Sequence, residues 1–128
     1  MDKIYKLFEK DEFAKFCGVK IEEIKKGYAR TSVIVSETHL NGLSRTQGGL
    51  IYTLADVAFA AAANSYGAIA VGLTTSISFL KATKKGDKLI ATANVISLTR
   101  KTCSVDVKVI CNDVLISKMT GTAFILNE

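Results

Sequence analysis

The rhythm of apolar and polar positions changes several times along this 128-residue chain, and each change marks an element. Over residues 2–16, Ile4, Leu7, Phe8, Phe13 and Phe16 recur at helical spacing, which predicts one short amphipathic helix ended by Gly18. Val19 to Lys25 and Tyr28 to Ser36 read as strands around Lys26-Gly27, with Thr31, Val33 and Val35 on one face. A polar loop, Thr38 to Gln47, leads into a segment from about Gly48 to Asn64 that is apolar on nearly every side, the pattern of a buried helix. Asn64-Ser65-Tyr66-Gly67 stops it. From there the period is two. Val71–Thr83, Lys88–Thr99, Cys103–Cys111 and Val114–Leu126 are strand-length runs joined by turns at Lys85-Gly86-Asp87, Arg100-Lys101 and Asn112-Asp113, and turns this short predict an antiparallel meander. The expected architecture is α+β, a single domain over residues 1–128. One curved antiparallel sheet of about six strands wraps a central helix at residues 48–64, with a short helix in front.

The central helix contains an anomaly. Asp56 is the only formal charge between Thr46 and Leu80, and no Lys, Arg or His lies within a helical turn or two of it. Burying an unpaired carboxylate is costly, so such a residue is a candidate for chemistry. The plainer reading is a structural carboxylate capped by hydroxyls of the Thr74-Thr75-Ser76 run.

Composition narrows the class. The 48% hydrophobic content supplies a real core, and the longest apolar stretch falls short of the ~20 residues of a membrane span while carrying Asp56 near its centre. No secretory signal is visible at the amino terminus, and the three cysteines (Cys17, Cys103, Cys111) are odd in number without C-x-x-C spacing, so reduced thiols in a cytoplasmic protein are expected. One histidine and three scattered cysteines make no metal site. The net charge of +5 is concentrated. Residues 81–108 hold seven basic and two acidic side chains, which suits a phosphate-bearing partner or simply a protected strand edge. Nucleic acid fits poorly, because no aromatic residue lies among these charges to stack on bases.

The stretch Asn41-Gly42-Leu43-Ser44-Arg45-Thr46-Gln47-Gly48-Gly49, with Leu54-Ala55-Asp56-Val57-Ala58-Phe59 after it, resembles the signature of hotdog-fold acyl-CoA thioesterases of the phenylacetate-degradation (PaaI) type. Ser76-Ile77-Ser78-Phe79-Leu80-Lys81-Ala82 is similar to the family's next strand. Two positions depart from it: Gln47 stands where the family usually has histidine, and Ala82 where it has proline. The resemblance implies thioester hydrolysis without a cofactor, on an acyl-CoA substrate, in a homodimer or homotetramer whose sites are shared across the dimer.

The residues allow a matching chemical reading. Hydrolysis needs an activated water and a donor for the oxyanion. Asp56 supplies the base or, in the other reading, a nucleophile. Gly48 heads a helix, so its N–H is free at the positive end of the dipole, and Asn41 can position the carbonyl or the water. Gln47, Gly49 and Thr74 are expected to bind substrate, and Arg100 and Lys101, exposed at a turn, to hold coenzyme A phosphates. Gln47 can orient but cannot be a general base, and His39 is expected to serve the loop. Gly48 and Asp56 stand about 12 Å apart along one helix. One carbonyl therefore cannot meet both in a single protomer, whereas two antiparallel helices about a two-fold axis bring them together. Two other readings compete: a non-catalytic acyl-CoA-binding module, for which a buried carboxylate is superfluous, and a hotdog hydratase or dehydratase, for which the motif lacks its histidine.

Overall fold

The computed structural model describes residues 1–126, and it opens with two helices where the sequence predicts one: α1 (Asp2–Glu9) and α2 (Glu12–Cys17). The break comes from Asp11. Its carboxylate accepts the Ala14 N–H at 3.0 Å, and the non-helical backbone this N-cap requires turns the chain between the two segments. Gly18 ends α2 at φ 80°, a conformation that favours glycine.

The strands are β1 (Lys20–Lys25), β2 (Tyr28–Ile34), β3 (Ala70–Phe79), β4 (Lys88–Leu98), β5 (Thr102–Cys111) and β6 (Val114–Ile125), with the central helix α3 (Gly48–Ala63) between β2 and β3. They form one antiparallel sheet in the order β1-β2-β4-β5-β6-β3. The expected meander holds for β4, β5 and β6 but not for β3, which pairs with β6 and leaves β4 to pair with β2. The segment 80–87 is the cause. It does not fold back as a hairpin but crosses the end of the sheet: Leu80 and Lys81 donate to the Ile116 carbonyl, Thr46 donates to Thr83, and Val35 exchanges backbone bonds with Gly86 and Asp87.

α3 lies against the concave side of this sheet. Leu50, Ile51, Leu54, Ala55, Val57, Ala58 and Phe59 are buried, and full burial of a side chain such as Leu54 contributes roughly 1.5–3 kcal/mol. The alanines let the sheet come close, and Phe59 fills the resulting notch. Its ring is so near the β6 backbone that a Cβ on Gly121 would sit 2.8 Å from it, and Gly72 of β3 gives it room on the other side. In β5, Cys103, Val105, Val107, Val109 and Cys111 all point inward, as their alternation predicts.

Two surfaces of this arrangement are incomplete. One face of α3, with Gly49, Tyr52, Thr53, Asp56 and Ala60, is not fully covered by the sheet. Beside it, β3 is an edge strand whose Val71, Leu73 and Phe79 are exposed, as is Leu80 after it. A long apolar edge of this kind invites a further strand. Among the described residues no helix is long and apolar enough to cross a membrane.

Candidate active site

The site starts at the amino end of α3. Gln47 is the N-cap, and its side-chain oxygen accepts the Gly49 N–H. The Gln47 carbonyl takes the Leu50 N–H at 3.0 Å. Gly49 is therefore already engaged, whereas the Gly48 N–H has no acceptor among the described residues. Gly48 opens on a cavity of about 410 Å³ lined also by Asn41, Arg45, Phe79 and Lys81. A Cβ at Gly48 would meet the Phe79 ring at 3.2 Å, so the glycine keeps this approach to the backbone clear.

The loop before the helix is held rigidly. The Asn41 side-chain oxygen accepts from Leu43 N–H at 2.9 Å and Arg45 N–H at 3.1 Å, which leaves its amide NH₂ for the cavity. Ser44 completes the tight turn at φ 60°. The buried hydroxyls of Thr46 and Thr83, 2.6 Å apart, fasten the loop to the crossing segment. His39 plays the loop role expected of it: Nδ1 accepts the Ser36 N–H at 2.9 Å, so the proton is on Nε2, which donates to the Cys17 carbonyl at 2.8 Å.

Asp56 sits two turns further along, half-buried on the uncovered face of α3. Burial pushes its carboxyl pKa up, and the negative charge of Asp11 adds to the shift. No salt bridge among the described residues involves it. The hydroxyl run does not cap it either, because the Thr75 hydroxyl pairs with Tyr52 at 2.8 Å and Thr74 is exposed on the β3 edge. Gly48 and Asp56 thus share one helix and one open surface, separated by about 12 Å of rise.

Arg100 and Lys101 do not join them within one chain. They occupy the β4–β5 turn, which the Thr99 hydroxyl closes by accepting the Thr102 N–H at 3.0 Å, at the end of the sheet where α3 finishes. Arg100 lines a cavity of about 450 Å³ there with Lys3, Ile69 and Ile125, and the Lys101 ammonium stands 6.0 Å from the centre of the Phe124 ring. A larger cavity, about 730 Å³, is also at that end and contains none of Asn41, Gln47, Gly48, Gly49 or Asp56. Size and chemistry disagree here. The unengaged Gly48 donor and the half-buried, unpaired Asp56 carboxylate make the open face of α3 the candidate site, although its cavity is the smaller one. The Phe79 ring, in the strand that follows the loop motif and a candidate pocket-lining residue from the sequence, forms a wall of the donor site.

Known proteins agree with this architecture. Residues 46–117 match the family model described as the thioesterase superfamily. The acyl-coenzyme A thioesterase PaaI of Escherichia coli is 36% identical over 81% of this chain and 74% of its own length. The solved structure of the E. coli PaaI protein superposes with a TM-score of 0.93 at 31% identity, covering 96% of this chain and 90% of that one. A Streptococcus mutans protein solved with acetyl CoA superposes at 0.82 and 31% identity, over 86% of this chain and 90% of that one. With a family match over more than half its length and a PaaI relative aligned along most of both chains, the chain belongs to the thioesterase superfamily, in its PaaI-like branch.

Proposed function

We propose that this protein hydrolyses the thioester of an aromatic or short- to medium-chain acyl-CoA, in a cytoplasmic homodimer or homotetramer with sites shared between protomers. The observation that carries the reading is the pair formed by the unengaged Gly48 N–H and the half-buried, unpaired Asp56 carboxylate on the open face of α3. The likeness to PaaI and to a protein solved with acetyl CoA supports the substrate class.

In this mechanism Asp56 takes a proton from water as the resulting hydroxide adds to the thioester carbonyl. The Gly48 N–H, at the positive end of the α3 dipole, holds the oxyanion. The C–S bond then breaks, the carbonyl re-forms as a carboxylic acid, and Asp56 returns its proton to the departing thiolate. The raised pKa of Asp56 makes it a stronger base than an ordinary carboxylate. Asn41 presents its amide to the carbonyl from the loop. Gln47 shapes the helix entry as its cap, and its free amide hydrogens, with Thr74 on the β3 edge, meet the substrate.

Pairing two β3 edges antiparallel brings the open faces of two α3 helices together, so that Gly48 of one protomer faces Asp56 of its partner. The same pairing directs the Arg100–Lys101 turn of one protomer toward the Gly48 end of the other, where it grips the phosphates of coenzyme A. Co-expression tests this. A chain carrying Asp56→Asn and a chain carrying Gly48→Pro are each inactive alone; in their heterodimer one site collects both defects and the other none, so activity returns. Verified heterodimers without activity, or a fully active monomer, overturn the shared site. A protein that gains heat resistance from acyl-CoA yet releases no thiol is the non-catalytic binding module instead, for which Asp56 has no use. A hydratase is disfavoured because both nitrogens of His39 are spent on the loop.

A further inference from the structure

A second, larger cavity of about 730 Å³ has none of the proposed catalytic residues in its lining. It lies between α1 and the loop 64–69 at the far end of α3. Its volume is within the range of about 300–1,000 Å³ typical of small-molecule sites. The floor is apolar, with Ile4 and Leu7 of α1 facing Ala68 and Ile69. Around this floor stand Lys3, Lys6, Lys10 and Lys26, with no carboxylate in the lining. None of the four is in a salt bridge among the described residues. Four unneutralised ammonium groups around one cavity repel one another, and an anion relieves that repulsion.

The wall opposite α1 is built to hold its shape. Asn64, buried, donates to the Ala60 carbonyl at 2.8 Å and the Ala70 carbonyl at 3.0 Å, and accepts the Ala70 N–H at 2.9 Å. Ser65, also buried, accepts the Gly27 N–H at 2.8 Å, which ties the loop to the turn that carries Lys26. Tyr66 reaches over the same turn, where a Cβ on Gly27 would meet its hydroxyl at 2.6 Å. The loop side of the cavity and the turn that carries Lys26 are therefore braced against each other.

From this juxtaposition we infer that the cleft between α1 and residues 64–69 is a second binding site, for a linear aliphatic carboxylate. The tail lies on Ile4, Leu7 and Ile69 and the head meets the lysines, which carry their charge on apolar stems suited to such a rim. The proposed catalytic pair is not in this lining; Lys3 and Ile69 also border the Arg100 cavity, which is why the test below keeps coenzyme A in excess.

The test uses the full chain in its native assembly. Dodecanoate, below the concentration at which it forms micelles, is titrated by calorimetry with coenzyme A present in excess, and a diazirine-bearing dodecanoate maps the contact. Labels on residues 1–10 and 64–69 support the site. Loss of affinity by about tenfold or more is expected in Lys6→Glu with Lys10→Glu, whose side chains are exposed and whose fold is checked by circular dichroism. Ala68→Trp, which fills the cleft and keeps its charge, should weaken binding as far. Dodecyl phosphate competing with dodecanoate supports the anionic-head chemistry, whereas binding of the phosphate alone overturns the carboxylate assignment. Labels on residues 41–48 or 79–83, equal competition by dodecyltrimethylammonium, unchanged affinity in both variants, binding to anionic vesicles without binding of monomeric dodecanoate, or no binding by the native assembly would each overturn the site.

Discussion

The two ends of α3 make opposite use of the same helix. At the amino end the loop 41–47 is closed by hydrogen bonds, the cavity is small, and one backbone donor is left over. At the carboxyl end the cavity is nearly twice as large, the backbone donors and acceptors around Asn64 are satisfied, and the charge lies on flexible lysine stems. The first end has groups held by hydrogen bonds and less room; the second has more room and diffuse charge. Fixed dipoles suit a developing oxyanion, which needs no reorganisation of its surroundings. Diffuse cations around an apolar floor suit binding without chemistry. Volume by itself would choose the other end.

The largest effect that can break this contrast is at Asp56. Asp56→Asn keeps the volume and removes the base, and a loss of turnover of about a hundred- to ten-thousand-fold is expected in thiol-release assays. Activity within tenfold of the unaltered protein would remove Asp56 from the mechanism. Gly48→Pro comes next. Gly48 is the first residue of α3, where proline is tolerated, and Gln47 before it already has the extended backbone (ψ 133°) that proline requires. The change deletes the N–H while leaving the helix and also sets a Cβ against the Phe79 ring, so about a hundred- to thousandfold fall in kcat with unchanged far-ultraviolet dichroism is expected, and Gly48→Ala, which keeps the N–H, gives the steric share. A mere rise in KM would mean that the donor holds the ground state only.

At the other end, Arg100→Ala combined with Lys101→Ala is expected to raise KM for an acyl-CoA several-fold, with less dependence on salt, and to leave a thioester without the nucleotide nearly unaffected. Equal losses on both substrates would show that the turn acts through the fold. The smallest effect sharpens the contrast in a different quantity. Because the folded protein holds the Asp56 proton more tightly than the unfolded chain does, the stability this group supplies is complete at acid pH, below the titration of an ordinary carboxylate. It is lost as pH rises through the raised folded pKa. Asp56→Asn should accordingly melt higher than the unaltered protein at neutral pH, with the gap closing toward acid. The acid limb of kcat/KM should lie above the ordinary carboxylate range and vanish in any residual activity of the variant.

What the chain reveals by pattern is whatever depends on neighbours in sequence. The all-round apolarity of residues 48–63 and the alternation from Cys103 to Cys111 locate α3 and β5 almost to the residue, and a lone carboxylate in the former announces Asp56. What escapes depends on partners far along the chain or on a single hydrogen bond. Asp11 divides one predicted helix into two because its side chain caps Ala14. β3 leaves the meander because Leu80 and Lys81 bond to Ile116 and carry the next segment across the sheet end. Likewise the sequence names Gly48 as the free donor, but not that the Gln47 side chain takes up the Gly49 N–H. The family motif predicts the loop; it does not predict the large cleft beside α1, whose lysines are spread over residues 3–26 with no recognisable spacing.

The notch that holds Phe59 has a consequence for how this sequence can drift. Position 121 has no space for a side chain while the aromatic ring is present, since even a methyl group would stand 2.8 Å from it and 3.1 Å from the Thr75 methyl. Gly121→Ala alone is expected to cost about 1–3 kcal/mol in denaturant unfolding, and Phe59→Leu should recover part of it in the double variant. Position 121 can take a side chain only after Phe59 has shrunk, and Phe59→Leu alone leaves a cavity beside Gly121, so descendants of this chain keep phenylalanine with glycine or reach another pair through a less stable intermediate.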